Sequence, residues 1–121
     1  MKAAIIAGSR TPFVGASSAF AKLSAVDLGK EAVRDALARS GLPGSRVNHV
    51  VYGTVVSDTQ APNIAREVVL AVLPKNVPAV SVSRACASAN QAITGAAEMI
   101  EMGYADVVVA GAGESLSRIP I

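Results

Sequence analysis

The sequence predicts an α/β fold: an open sheet with helices on both faces, in the order β-α-β-α-β-α-β. Three observations lead there. Short apolar runs alternate with longer amphipathic ones along the whole chain. Two of the short runs, Ala3–Ala7 and Val107–Ala110, are continuously apolar, as strands buried on both faces are. Each longer run is closed by glycine or proline. Strands separated throughout by helices run parallel and are joined by right-handed crossovers.

The elements follow in order. Ala3–Ala7 is the first strand and ends at Gly8. Ser24 is a good helix N-cap, with Asp27 three residues on as the acidic end of a capping box. Leu28, Ala32, Val33, Ala36 and Leu37 then form one apolar stripe opposite Lys30, Glu31, Arg34 and Asp35. Gly41 and Pro43 end that helix. Val47–Val56 reads as the second strand. Pro62 stands in the first turn of a second helix, whose Ile64, Val68 and Val72 recur at spacing four until Pro74 stops it. Residues 78–83 form the third strand, Cys86 to about Met102 the third helix, closed by Gly103, and residues 106–110 the fourth strand.

The chain has 121 residues, 51% hydrophobic and 17% charged, which excludes disorder and allows one domain, 1–121. Lys plus Arg is 11 against 9 Asp plus Glu, with no basic run, so no nucleic-acid surface is expected. One cysteine, Cys86, and one histidine, His49, exclude an internal disulfide and make an intrachain Cys/His metal site improbable. No apolar run approaches the roughly 20 residues of a membrane span. Lys2, five apolar residues and Ser9-Arg10 are too little for a secretory signal. A soluble, reducing, cytoplasmic setting is therefore expected.

The third helix does not suit a free-standing domain. From Ala87 to Ala97 it carries no charge and is small all round, the pattern of a helix buried on every side. Gly95 in its middle costs about 1 kcal/mol relative to alanine and points to close packing. This helix calls for more protein around it than 121 residues supply.

Cys86 is the candidate nucleophile. It stands at the strand-to-helix turn Val82-Ser83-Arg84-Ala85-Cys86-Ala87-Ser88-Ala89, among small neighbours that a sharp turn presenting a nucleophile requires. A helix N-terminus carries about half a positive charge, a setting that favours thiolate chemistry, and its free N–H groups can cradle an oxyanion. Position alone leaves a second reading open, an inert buried thiol filling a gap. A cysteine nucleophile needs a base. His49 falls in the second strand and reads as structural, so a base would come from another polypeptide segment. Two glycine loops carry no phosphate site. Gly8-Ser9-Arg10-Thr11-Pro12 lacks the phosphate-loop pattern. Gly111-Ala112-Gly113 is followed by the repelling Glu114, and Pro120 discourages a helix after it.

Four segments in order resemble the N-terminal half of the thiolase family, over nearly the whole chain. They are Arg10-Thr11-Pro12-Phe13, Asn63-Ile64-Ala65-Arg66, Cys86-Ala87-Ser88-Ala89-Asn90-Gln91-Ala92, and Gly111-Ala112-Gly113-Glu114-Ser115-Leu116-Ser117. Ala112 and Leu116 depart from the family's pattern. The resemblance implies half of a thiolase-like fold and an acyltransferase, with Cys86 taking the acyl group of a 3-ketoacyl-CoA before free coenzyme A receives it, or the reverse Claisen condensation. It also implies coenzyme A and acyl-CoA as substrates, with no permanently bound cofactor. The family's histidine, second cysteine and asparagine-held water belong to a second, pseudo-symmetric half that this sequence does not contain. The loop domain is likewise absent, and the 121 residues by themselves are expected to be inactive. The run after Cys86 is similar to the thiolase subunit of the trifunctional fatty-acid oxidation complex. That likeness implies degradative thiolysis in fatty-acid β-oxidation and a hydratase/dehydrogenase partner subunit. Asn63, Arg66, Arg10 and Glu114 read as residues that hold loops and a helix start rather than as direct participants.

Two other functions compete: a ketoacyl-synthase-like condensing enzyme, and a non-catalytic α/β dimerisation module with an inert buried cysteine. In the family's strand order, taken as 3-2-1-4, the strand near Ala79–Ser83 is an edge. It has β-branched Val80 and Val82 and no charge before Arg84, so an antiparallel homodimer through Val80–Ser83 is expected.

Overall fold

The computed structural model describes residues 2–119. Its elements are α1 (Ala25–Ser40), β1 (His49–Gly53), α2 (Ile64–Val72), β2 (Ala79–Val82), α3 (Ser88–Glu101) and β3 (Val108–Ala112), with 3-10 turns at Gly44–Arg46 and Leu116–Arg118. The three strands are parallel, in the order β2-β1-β3. Val50 registers against Ala79 on one side, and His49 against Val108 on the other.

Successive side chains of β1 point to opposite faces. Val50 and Tyr52 pack with Val33 of α1 and with Ile64, Ala65, Val68 and Val69 of α2. Gly53 meets Ser88 of α3 on the other face. Helices therefore cover both faces. The α1 start is a complete capping box: Ser24 Oγ accepts from the Asp27 N–H at 3.1 Å, and Asp27 accepts from the Ser24 N–H at 2.9 Å. The Ser24 backbone N–H holds the Asp27 carboxyl below its ordinary range. Gly41 closes the helix at φ 71°, where a side chain would be strained.

The expected first strand does not form. Ala3–Ala7 has no regular structure, with Ile5 82% and Ile6 67% exposed. The expected order, with this strand between those of 47–56 and 106–110, is also corrected: β1 pairs directly with β3 and both its edges are taken. The 3–9 segment instead lies across a cavity of about 600 Å³ from β3, walled by Ala36, Leu37, Ala96 and Ile100. A strand needs a partner for its N–H and C=O groups, and this segment pairs with none of the three strands. Ser9 Oγ donates to Asp35 and ties the segment to α1.

Other boundaries shift for local reasons. The Asn48 side chain accepts from both the Asp106 and Val107 N–H at 2.8 Å, replacing a strand partner, so β3 starts at Val108 rather than at 106. Asn63 is the N-cap of α2, so Pro62, expected in the first turn of that helix, lies just before it. Pro120 lies outside the described residues. No helix among them is long and apolar enough to cross a membrane.

Candidate active site

The connection from β2 to α3 is a tight turn carrying Cys86. The Ala87 N–H donates to the Arg84 carbonyl at 3.0 Å, and the Ser88 N–H to the Ala85 carbonyl at 3.1 Å. Ala85 adopts φ 48°, in the left-handed region that costs an L-residue roughly 1–2 kcal/mol. The neighbouring Cys86 is exposed. Within this chain it therefore does not fill a gap in the core.

Ser88 is 97% buried, with 3% of its surface left to solvent, and its hydroxyl serves the turn. Oγ accepts from the Arg84 N–H at 2.8 Å and donates to the Ala85 carbonyl at 2.6 Å. With Ser88 engaged there, no side chain caps α3, whose N-cap is Ala87. The first-turn N–H groups consequently have no side-chain acceptor, that of Ser88 being taken by the Ala85 carbonyl. Below Ser88 lies the end of β1: a Cβ on Gly53 would sit 2.8 Å from the Ser88 Cβ. Arg84 Nη1 donates to Gln91 at 2.7 Å, bracing the turn against the second turn of α3.

Three of the four residues expected to hold loops or a helix start, Asn63, Arg66 and Glu114, do so in the structure, and Arg10 does not. Asn63 Oδ1 accepts from the Arg66 N–H and from Ser81 Oγ, joining α2 to β2. Arg66 Nη1 donates to the carbonyls of Lys75 and Val77, closing the α2–β2 loop. The Glu114 carboxylate accepts from Thr54 Oγ1 and from the N–H groups of Val55 and Val56, binding the exit of β1 to the exit of β3. Arg10 is exposed. His49 begins β1, while Gly53, which touches Ser88, ends it. Four residues of strand, about 13 Å, separate the imidazole's position from the turn, so the structure does not bring His49 to Cys86. No group of three or more His, Cys, Asp or Glu that could hold a metal ion occurs among the described residues.

Behind the site, Tyr52 is enclosed by three glycines. Added Cβ atoms would meet its ring or hydroxyl at 2.8 Å from Gly29, 2.9 Å from Gly111 and 2.9 Å from Gly113. Burial, with the nearby Glu114 charge, pushes the phenol up to about 12. Neither Tyr52 nor Ser88 is singled out by the sequence reading. The available signal for Ser88 is a lone hydroxyl in an otherwise alkyl Ala85–Ala89 run around the cysteine.

The family model described as thiolase, N-terminal domain, matches residues 3–121. The 3-ketoacyl-CoA thiolase of Vibrio cholerae serotype O1 is 45% identical over 121 residues, covering 99% of this chain and 28% of the relative. That of Yersinia pestis is 45% identical over 118 residues, 97% of this chain and 27% of the relative. In crystal structures, the Bacillus anthracis acetyl-CoA acetyltransferase superposes with a TM-score of 0.93 at 33% identity, covering 96% of this chain and 30% of the other. A thiolase from Ascaris suum in complex with coenzyme A gives 0.91 at 36%, covering 95% and 30%. The chain thus spans under a third of the length of these relatives. By the family match over nearly its whole length, the chain belongs to the thiolase family, within the N-terminal domain.

Proposed function

We propose that this chain is the nucleophile-bearing part of a thiolase-type acyltransferase, with Cys86 as the acyl acceptor. The observation that carries the reading is an exposed cysteine on a braced turn at an uncapped helix start, in a chain 45% identical to 3-ketoacyl-CoA thiolases. In the degradative direction the Cys86 thiolate attacks the keto carbon of a 3-ketoacyl-CoA. The bond between C2 and C3 breaks, acetyl-CoA leaves with a proton from an acid, and the acyl group stays on sulfur as a thioester. The thiol of coenzyme A then attacks that thioester, its proton passing to a base, and regenerates Cys86. The reverse sequence is a Claisen condensation. Coenzyme A is substrate here, in keeping with the complex formed by the Ascaris suum relative. Acid and base come from the remainder of the thiolase fold, as His49 is at the far end of β1.

The apolar surfaces left open fit an incomplete domain: Phe13 is 95% exposed, Ile5 82%, and Ile93 on the uncharged face of α3 42%. These are the places where the loop domain and second half pack. In the assembled protein β2, at the sheet edge with Val80 44% exposed, pairs with its twofold mate through Val80–Ser83. The likeness to 3-ketoacyl-CoA thiolases favours fatty-acid degradation over a ketoacyl-synthase reaction.

The test is acylation of the assembled enzyme, this chain together with the remaining parts of the thiolase fold. Incubation with acetyl-CoA should add one acetyl mass to the peptide containing Cys86. Cys86→Ser should lower turnover by about 10³-fold or more with the fold intact. A Cys86→Ser enzyme with the wild-type rate overturns the reading.

A further inference from the structure

The turn before α3 contains a residue in an unfavourable conformation and a buried hydroxyl that grips it from both sides. Ala85 holds φ 48° without being glycine. Ser88 Oγ takes the N–H just before it, that of Arg84, and gives its own proton to the Ala85 carbonyl. The Ser88 N–H donates to that same carbonyl. Both hydrogen-bonding capacities of the hydroxyl are thus used within one turn, and Cys86 is the next residue along. The base of the clamp is fixed as well, because Gly53 brings the backbone of β1 against Ser88 with no room for a side chain.

We propose that Ser88 is a positioning residue for the nucleophile: by holding Ala85 in the left-handed region it sets the direction in which Cys86 presents its sulfur. This rests on the reading of Cys86 as acyl acceptor. Without the hydroxyl, Ala85 relaxes towards negative φ and the Cys86 Cα–Cβ direction swings with it. A displacement of about 1 Å at a reacting atom is worth up to about a hundredfold in rate. Substrate is held by other parts of the protein, so the loss falls on kcat and leaves KM nearly unchanged. Glycine takes a positive φ at no steric cost, so Ala85→Gly restores the turn where the clamp has been removed.

The experiment compares wild type, Ser88→Ala, Ser88→Ala/Ala85→Gly and Cys86→Ser in the assembled enzyme, by steady-state thiolysis of a 3-ketoacyl-CoA and circular dichroism. Ser88→Ala is expected to lose tenfold to a hundredfold in kcat with KM within about twofold. The double variant is expected to recover a large part of the loss. A kcat equal to wild type in Ser88→Ala, a loss shared equally by KM, or no recovery in the double variant overturns the proposal. So does unfolding of both Ser88 variants, which assigns the residue to the core alone. Cys86→Ser separates the two claims. Retained activity there removes the nucleophile assignment itself, whereas inactive Cys86→Ser beside unaffected Ser88→Ala removes only the positioning role.

Discussion

Burial of the Tyr52 phenol ties the stability of the fold to pH. Burial and then the Glu114 charge disfavour the phenolate and push the phenol from an ordinary value of 10.0 up to about 12 in the folded protein. A pKa raised by folding contributes stability that is fully present below the unfolded value and is lost as pH rises through the folded one. The protein should therefore keep its stability to about pH 10 and lose about 2–3 kcal/mol as pH climbs towards 12. Tyr52→Phe removes the titrating group, so the slope of denaturant midpoint against pH should flatten over that window. An unchanged slope in the variant would place the alkaline transition elsewhere. None of this is readable in the sequence, where Tyr52 is one aromatic in a strand. The enclosure depends on Gly29, Gly111 and Gly113, which come together only in three dimensions.

At the level of elements, α1 is the one most fully specified by its own residues. Ser24 and Asp27 exchange hydrogen bonds, and Gly41 takes the left-handed cap. Ser24→Ala should cost about 1 kcal/mol in denaturant titrations, with Ser24→Asp nearly neutral. If Ser24→Ala costs nothing, the box seen in the structure does not contribute. The local code is legible wherever an element finds its partners close in sequence or through its own side chains, as with α1 and the Cys86 turn. It failed for Ala3–Ala7. Those five residues are as apolar as any strand in the chain, but a strand is made by its neighbour's N–H and C=O groups as much as by its own side chains. The neighbouring edge of β3 is across a cavity of about 600 Å³. The start of β3 was misjudged for the opposite reason, since Asn48 supplies an acceptor that composition does not reveal.

Over the whole molecule, the sheet has β1 at its centre and β2 at one edge. Ser81 turns inward to the Ala65 N–H and Asn63, so Val80 and Val82 occupy the opposite face of the strand. In the proposed dimer that edge is covered by its own copy. Val82→Lys would leave an unpaired charge there, weakening association by about 3 kcal/mol or more. Sedimentation of the assembled enzyme should then show monomer at concentrations where wild type is dimeric. An unaltered dimer would exclude this strand as the contact.

The enclosure of Tyr52 also bears on the order in which the chain can mature. One wall of its surroundings, Gly29, precedes it, while Gly111 and Gly113 follow it by some sixty positions along the same polypeptide. A ribosome makes the chain from the N-terminus onwards. When α1, β1 and α2 have emerged, the phenol ring still has one flank open to water. Its enclosure has to wait for translation to pass residue 113, so the centre of the sheet is completed late in synthesis even though its central strand is made early.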